Sequence, residues 1–286
     1  MRKIKMIGSG RVVESLLSES ENVRKFDLEI YSKTPRLLNE KFKINCIERF
    51  IPSDDIILVC TSVCEKTLLR EYSNKSRETV FKSNIKIIKK YLQKGYFNKG
   101  KIFILTNPSE LIAEYIFRKT CNNQIFALGQ EMDIKRYKNL LNTTKEVSCL
   151  GQHFQYPIIQ NFSHKIDQLK LRQGLVKEIE TEFVGDAPPF KSGAYNIDQL
   201  LKSIINKTKV MVSSYVATRD CFLCGKLNMR DESFRENAPS TIIEKDFIDH
   251  QVLTSKKLIW TFSHSLSSNL SPYSSSSFLR LFAVLE

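Results

Sequence analysis

The sequence predicts an α/β protein in which a doubly wound, mostly parallel sheet is followed by a smaller α+β portion. Two observations predict the sheet. Short apolar runs alternate with amphipathic runs through the first half, and a glycine-rich turn directly follows the first apolar run. Alternation of this kind is typical of parallel strands joined by crossover helices. Because open sheets of this Rossmann type bind ligands at the carboxyl ends of their strands, we expect a binding site at that edge.

Six apolar runs in the first half are predicted strands. They span residues 3–8, 26–31, 42–47, 55–60, 101–106 and 125–128. The amphipathic runs between them predict helices at about 11–19, 77–95, 108–119 and 131–142. In the second of these helices the apolar residues recur at helical spacing, so the local concentration of lysines is expected on its solvated face.

The second half has a different pattern. "LKLRQGLVKEIETEF" and "AYNIDQLLKSIINK" predict helices separated by a break at "GDAPPFKSG", and "KVMVSSYV" with "DCFLCGKL" predict a strand pair. We therefore predict one domain over residues 1–145, an α+β domain over 146–265 and a poorly ordered, serine-rich tail over 266–286.

Length, charge and cysteine content limit the class of protein. The 286 residues, of which 42% are hydrophobic, are enough for a substantial core. The net charge of +13 would suit nucleic acid, but the lysines are spread along the chain, which argues against that partner. The seven cysteines are odd in number and lie mostly in strand-like runs. This pattern indicates reduced thiols and a cytoplasmic location, and "CFLC" is interpreted as a pair of buried strand cysteines, so no metal site is predicted. Without an apolar run of ~20 residues or a signal peptide, no membrane association is expected.

The turn "GSGRVVES" has the position and composition of a phosphate-binding loop. It follows the first strand and opens a helix, where Gly8 permits a tight turn and Gly10 allows a pyrophosphate to approach the helix N-terminus. Val13 replaces the third glycine of the fingerprint, which is expected to loosen the packing between helix and strand. An ordinary turn remains the alternative. If the loop binds phosphate, residues 1–145 form a dinucleotide-binding domain.

The end of the second strand bears on which dinucleotide is bound. The acidic residue that usually binds the ribose hydroxyls is absent, and Ser32 stands there, followed by Lys33 and Arg36. Loss of a carboxylate and gain of two cations suit a ribose 2′-phosphate, which favours NADP over NAD. A site that has lost its function, or an exposed basic turn, is the alternative.

Four later segments, together with the glycine turn, resemble the lactate/malate dehydrogenase family. In chain order the segments and the residues that match the family's motifs are "RETVFKSN" with Arg77 and Asn84, "TNPSE" with Asn107, "LGQEMDIKRYKNLL" with Asp133 and Arg136, and "LGQH" with His153. The resemblance covers about residues 1–265 and rests on the order and spacing of the motifs. It implies a Rossmann-type domain followed by a substrate domain.

Reduction of a 2-oxo acid explains why these residue types are needed. A histidine with a pKa near neutrality can protonate the developing alkoxide, and His153 is the candidate. The resemblance assigns Asp133 to orient the imidazole, and Arg136 to bind the substrate carboxylate in a bidentate fork. It also implies that Arg77 polarises the ketone and that Asn107 holds the carbonyl beside the nicotinamide.

Each of these residues also has a purely structural interpretation. Asp133 and Arg136, three residues apart, could form a surface ion pair worth well under ~1 kcal/mol. Arg77 could sit in the first turn of a helix, Asn107 could form a turn before a proline, and His153 could be a polar residue beside aromatics.

The sequence also departs from the family's pattern. The segment "CEKTLLREYSNKSR" lacks the glycine and proline usual in the loop that closes over substrate. Arg70 and Glu71 both lie near the position that separates oxo-diacids from oxo-monoacids. Phe154 follows the histidine where a glycine is usual. Ser192 or Gly193 stands where a threonine often borders the pocket, and a smaller residue would leave room for a larger substrate.

The sequence therefore predicts a divergent NAD(P)-dependent reductase that interconverts a 2-oxo acid, or a related carbonyl compound, and a 2-hydroxy acid, as a homodimer or homotetramer. The predicted cofactor-binding residues are Gly8, Gly10, Arg11, Val12, Ser32, Lys33, Arg36, Thr61 and Asn107. Three alternatives stay open: a catalytically weak, dehydrogenase-like protein that binds a dinucleotide or a partner, a metal-dependent NAD glycosidase with a comparable "TNP" turn, and a nucleic-acid-binding protein.

Overall fold

The computed structural model describes residues 2–32, 35–61, 74–160, 167–182 and 190–265. The described strands are β1 (Lys3–Ile7), β2 (Asp27–Tyr31), β3 (Asn45–Ile47), β4 (Ile56–Val59), β5 (Lys101–Ile104), β6 (Ile125–Ala127), β7 (Ser148–Leu150), β8 (Ile158–Gln160), β9 (Lys209–Val216), β10 (Cys221–Asn228) and β11 (Phe234–Glu236). The described α-helices are α1 (Arg11–Glu19), α2 (Pro35–Phe42), α3 (Asn74–Gln93), α4 (Ser109–Thr120), α5 (Gln130–Leu140), α6 (Gln168–Thr181), α7 (Phe190–Asn206) and α8 (Ile242–Ser265).

Most of these strands belong to one large sheet. Its order is β11-β10-β9-β6-β5-β4-β1-β2-β3, in which β1 to β6 are parallel and β9 to β11 are antiparallel to their neighbours. The chain runs outward from β1 to β3 and then returns to add β4 on the other side of β1. This reversal creates a crevice at the carboxyl ends of β1 and β4, which is where open α/β sheets bind their ligands. The strands β7 and β8 form a separate antiparallel pair.

Apolar side chains cover both faces of the sheet, as a doubly wound fold requires. On β1, Ile7 belongs to the core on one face, together with Phe81 of α3, whereas Met6 belongs to the core on the other face. That second core includes Leu16 of α1 and Ile197 of α7. The alternation of consecutive β1 residues between the two faces fixes the register of the central strand.

The structure confirms the six strands and four helices predicted for the first half, with shifts of up to a few residues at their ends. The helix predicted from residue 169 and the hairpin of β9 and β10 are also confirmed. The predicted break "GDAPPFKSG" is wrong over its last four residues, which form the first turn of α7. There Gly193 brings α7 so close to α1 that an added Cβ would lie 3.0 Å from Val12. This packing stabilises helical backbone at a residue that the sequence marks as a breaker. The predicted tail, 266–286, lies outside the described residues.

Three of the strand cysteines are buried, among them the CFLC pair for which the sequence predicts burial. Cys149 in β7 and both Cys221 and Cys224 in β10 have almost no exposed surface. Burial raises the pKa values of the Cys149 and Cys224 thiols well above the usual value of a cysteine. Because the thiolate is the reactive form, these two thiols are expected to be unreactive. Within the described part of the chain, no helix combines the length and apolarity needed to cross a membrane.

Candidate active site

His153 and Asp133 form a close side-chain pair. His153 follows β7 in a short 3-10 helix, His153–Gln155, and Asp133 lies in the first turn of α5, directly after β6. The imidazole Nδ1 lies 2.5 Å from Asp133 Oδ2. The Asp133 side chain is 1% exposed, whereas that of His153 is 21% exposed. One ring nitrogen is thus held by a buried carboxylate, and no hydrogen bond joins Nε2 to another of the described residues.

Arg136 extends this pair to a triad. It lies one turn after Asp133 on α5, and its Nη1 donates to Asp133 Oδ1 at 3.2 Å. Both partners are buried, with exposed side-chain fractions of 4% and 1%. The alternative of a surface ion pair is therefore wrong, because these charges lie inside the protein. Asp133 uses one oxygen for each neighbour and holds His153 and Arg136 in a fixed relation.

The surroundings of His153 raise its pKa above the usual 6.5. Burial opposes protonation and would lower this pKa, but the negative charge and hydrogen bond of Asp133 outweigh burial, and Glu110 adds to them. Arg136 acts in the opposite direction and lowers it. The net effect favours the imidazolium, which is the form of His153 that can donate a proton.

Glu110 positions the His153 backbone, a role that sequence reasoning missed. It is fully buried in the first turn of α4, and its Oε1 accepts from the His153 amide at 2.6 Å and from Gln130 Nε2 at 2.9 Å. The sequence does contain a hint of this role, since Glu110 directly follows the "TNPS" turn. Gly129, at φ +145, lies directly against the imidazole ring, so any side chain at this position would collide with His153.

Helix α8 supports the same loop from the other side. Gln251 Oε1 accepts from the Gln152 amide at 2.9 Å, and Ser255 Oγ donates to Gln152 Oε1 at 2.6 Å. Gln155 Nε2 donates to the Gln251 carbonyl at 2.9 Å. The segment that carries His153 is therefore fixed by buried polar contacts. Phe154 packs into the main apolar core.

Glu182 is the second residue that sequence reasoning missed. It follows the last turn of α6, and its two carboxylate oxygens accept from Nε and Nη2 of Arg136, each at 2.8 Å. Ser192 donates a further hydrogen bond from its hydroxyl to Glu182. Burial would raise the pKa of Glu182, but the hydrogen bonds from Arg136 and Ser192 outweigh it and lower this pKa. Glu182 is therefore ionised. No motif in the sequence marks it, because it lies 46 positions from its partner.

The glycine turn lies at the crevice in the sheet. Gly8 has φ +119, and an added Cβ would lie 2.8 Å from the Thr61 amide nitrogen, so this position requires glycine. At Gly10 an added Cβ meets nothing within 4 Å, which leaves open space at the N-terminus of α1. Ser32 is buried, and its hydroxyl donates to Ser9 at 2.7 Å. Val13 is fully buried in the core, where it fills the place of the third glycine.

The "TNP" turn closes the crevice beyond β5. Asn107 is exposed, and its carbonyl accepts from Nδ2 of the buried Asn84 at 2.6 Å. Thr106 Oγ1 donates to the Thr61 carbonyl at 2.6 Å, which ties this turn to the end of β4. Gly193 lies against Val12, so side-chain atoms of α1 fill the space beside it.

The other predicted site residues divide into three groups. Arg11 is exposed in the first turn of α1. Lys33 and Arg70 lie outside the described residues. The backbones of Arg36 and Arg77 lie in α2 and α3, but their side chains are also outside the described part of the chain. The structure thus brings together His153, Asp133 and Arg136, and separately the glycine turn, Thr61 and Asn107.

No protein-family model matches the sequence, and no curated protein matches it. Solved structures are similar in fold. The malate dehydrogenase of Cryptosporidium parvum has a TM-score of 0.73 at 15% identity, over 92% of this chain and 100% of that one. The lactate dehydrogenase of the same organism, complexed with lactic acid and nicotinamide adenine dinucleotide, has a TM-score of 0.70 at 12% identity, over 92% and 98%. The malate dehydrogenase of Archaeoglobus fulgidus in complex with NADH has a TM-score of 0.71 at 14% identity, over 91% of this chain and 99% of that one.

These similarities span nearly the whole of each chain, while the identities are low enough that they establish the fold alone. The fold expected from the sequence motifs is confirmed: the chain has the fold of the malate and lactate dehydrogenases.

Proposed function

We propose that this protein is a nicotinamide-dependent oxidoreductase that interconverts a 2-oxo acid, or a related carbonyl compound, and the corresponding hydroxy compound. The observation that carries the proposal is the pairing of His153 Nδ1 with the buried Asp133 at 2.5 Å. Asp133 follows β6, and the carboxyl end of that strand lies at the same edge of the sheet as the glycine turn. A proton donor and a candidate dinucleotide loop thus share one edge, as reduction of a carbonyl requires.

The chain's own residues supply the acid–base part of this reaction. When bound, the nicotinamide provides or accepts the hydride. In reduction, His153 donates a proton from Nε2 to the carbonyl oxygen, which becomes the hydroxyl, and Asp133 stabilises the imidazolium while it exists. In oxidation, neutral His153 accepts the hydroxyl proton at the same atom. The raised pKa of His153 favours its protonated form, which is the form that reduction needs.

The glycine turn fits a dinucleotide. Gly8 lets the chain turn tightly against Thr61, and Gly10 leaves space for a pyrophosphate. Among the described residues no side chain caps the N-terminus of α1, so its first amides can point to phosphate oxygens. The Ser32 hydroxyl already donates to Ser9, so it is not available to donate to a ribose phosphate. A preference for NADP therefore depends on the positive charges of Lys33 and Arg36. We propose either NAD or NADP, with NADP favoured by those two cations.

A catalytically weak protein that binds a dinucleotide or a partner is the second candidate. One observation favours it: Glu182 already holds the guanidinium edge of Arg136 that a substrate carboxylate would use. The homodimeric or homotetrameric state and the cytoplasmic location stay predictions.

A fluorescence titration with NADH and NADPH, followed by turnover with 2-oxo acids and uncharged carbonyl compounds of graded size, tests the proposal. We expect saturable binding of at least one cofactor and oxidation of that cofactor by at least one carbonyl compound. Binding of neither cofactor would contradict the proposed function. Binding without turnover of any carbonyl compound would favour the second candidate.

A further inference from the structure

The contact between Arg136 and Glu182 has the geometry with which arginine binds a carboxylate ligand. Nε and Nη2 each donate to a separate oxygen of Glu182, at 2.8 Å in both cases. Two parallel hydrogen bonds of this length form the fork in which a guanidinium binds a carboxylate. The chain's own side chain therefore occupies the position that the proposed function gives to the carboxylate of a 2-oxo acid.

The local charge opposes a further carboxylate. The guanidinium of Arg136 carries one positive charge and already contacts two carboxylates, because Asp133 accepts from Nη1 at 3.2 Å. A 2-oxo acid bound here would bring a third carboxylate to this guanidinium, with Lys135 as a further cation whose charge acts on Glu182. At low effective dielectric such a like-charge contact is costly, even when His153 is protonated.

Glu182 is also held in place by contacts other than Arg136. Ser192 donates its hydroxyl to the same carboxylate, and the Glu182 amide bonds to the Glu178 carbonyl at 3.3 Å, which continues α6. A tethered ligand has an effective concentration on the order of millimolar or more, which a diffusing 2-oxo acid must exceed to displace it. A cavity of about 610 Å³ is lined by Arg136, Glu182 and Ser192, but not by His153 or Asp133.

We propose that Glu182 is a specificity-determining residue which, by occupying the carboxylate-binding edge of Arg136, makes the site select a ketone or aldehyde without an adjacent carboxylate over a 2-oxo acid. This inference rests on the proposed function, since it concerns the substrate of the same hydride transfer. The reaction stays balanced: the hydride goes to the carbonyl carbon and the His153 proton to its oxygen. Only the group beside the carbonyl changes.

The test compares a 2-oxo acid with its primary amide, which has nearly the same shape and no charge. For the wild-type protein we expect kcat/KM to favour the amide by at least about tenfold. In Glu182→Gln the preference should move toward the acid by at least about tenfold, chiefly through a lower KM for the acid. Ser192→Ala removes the hydroxyl that donates to Glu182 and accepts from Arg136 Nη2 at 3.4 Å, and it should move the preference in the same direction by less.

Glu178→Gln is the matched control. Glu178 lies one turn earlier on α6 and lines the same cavity, so the substitution removes the same charge nearby. We expect its preference to stay within about threefold of the wild-type value, because local charge effects at partly exposed sites are small. A wild-type preference for the acid that Glu182→Gln leaves unchanged would overturn the inference.

Binding measurements separate this inference from the proposed function. If NADH binds but no carbonyl compound turns over, the reductase proposal fails, whereas equilibrium dialysis with labelled 2-oxo acid still reports on Glu182. Glu182→Gln should then bind the acid at least about tenfold more tightly than the wild type does. Equal affinities would overturn the inference, and Ser192→Ala serves for the same comparison if Glu182→Gln does not fold.

Discussion

Replacing His153 with asparagine is expected to lower kcat for carbonyl reduction by about 10²- to 10⁴-fold, because the reaction loses its proton donor. Asparagine keeps a polar group of similar reach but cannot transfer a proton at neutral pH. Since the glycine turn is untouched, the dissociation constant for NADH should change by less than about threefold. Stopped-flow oxidation of NADH and a fluorescence titration measure the two quantities separately.

His250→Asn is the matched control for this substitution. His250 is exposed on α8, so the same chemical change there should leave both kcat and NADH affinity near the wild-type values. If His153→Asn kept kcat within a few-fold of the wild type, another group would be the acid. The pairing of His153 with Asp133 would then be structural.

Replacing Asp133 with asparagine is expected to have the second largest effect, on pH dependence and on stability together. Asp133 raises the pKa of His153, and reduction needs the protonated imidazole. The wild-type rate should therefore persist below the raised pKa and fall as the pH increases through it. In Asp133→Asn the pKa of His153 falls, so the alkaline limb of kcat/KM should move to lower pH. For every pH unit that the limb moves, kcat/KM at high pH should fall about tenfold.

The same substitution should lower the free energy of unfolding by about 3 kcal/mol, the lower end of the range for breaking a buried ion pair, because Arg136 keeps Glu182 as a partner. The sign of the linkage follows from the raised pKa. Stability from the protonated His153 is fully present below the unfolded-state pKa and is lost as the pH rises through the folded-state pKa. Urea unfolding of both proteins at several pH values measures the free energy of unfolding and its pH dependence. An alkaline limb that does not move in Asp133→Asn would mean that His153 is not the titrating group.

The sequence predicts the parallel half of the fold because periodicity there is strong. Each strand of that half is a compact apolar run, and each following helix repeats apolar residues at helical spacing. Helix α8 was missed for a physical reason. Its buried positions Ile248, Gln251, Ser255 and Ile259 include two polar residues, which bond to the segment that carries His153 instead of packing in an apolar core. The strands β7 and β8 have three residues each, too few for an alternating pattern to be recognised.

The candidate site could be predicted to a similar extent. His153, Asp133 and Arg136 were expected together because the spacing of a D-x-x-R helix and a later histidine is a recognisable combination. The partner of Arg136 was not expected, since Glu182 reaches it through the packing of α5 against α6, and tertiary contacts of that kind leave no local trace in a sequence. Glu110 could have been suspected from its position after the proline turn. Its burial, which makes it a support for the His153 amide, depends on the sheet beneath it.

The transfer of deuterium from NADH labelled at its transferable nicotinamide position to a carbonyl substrate tests the central claim most directly. We expect the alcohol product, analysed by mass spectrometry, to carry deuterium on the former carbonyl carbon, with stereospecific transfer from one face of the nicotinamide. The initial rate of transfer should fall about 10²- to 10⁴-fold in His153→Asn and stay near the wild-type rate in His250→Asn. NADH binding without any deuterium in the product, across both charged and uncharged carbonyl compounds, would contradict the claim that this site performs hydride transfer.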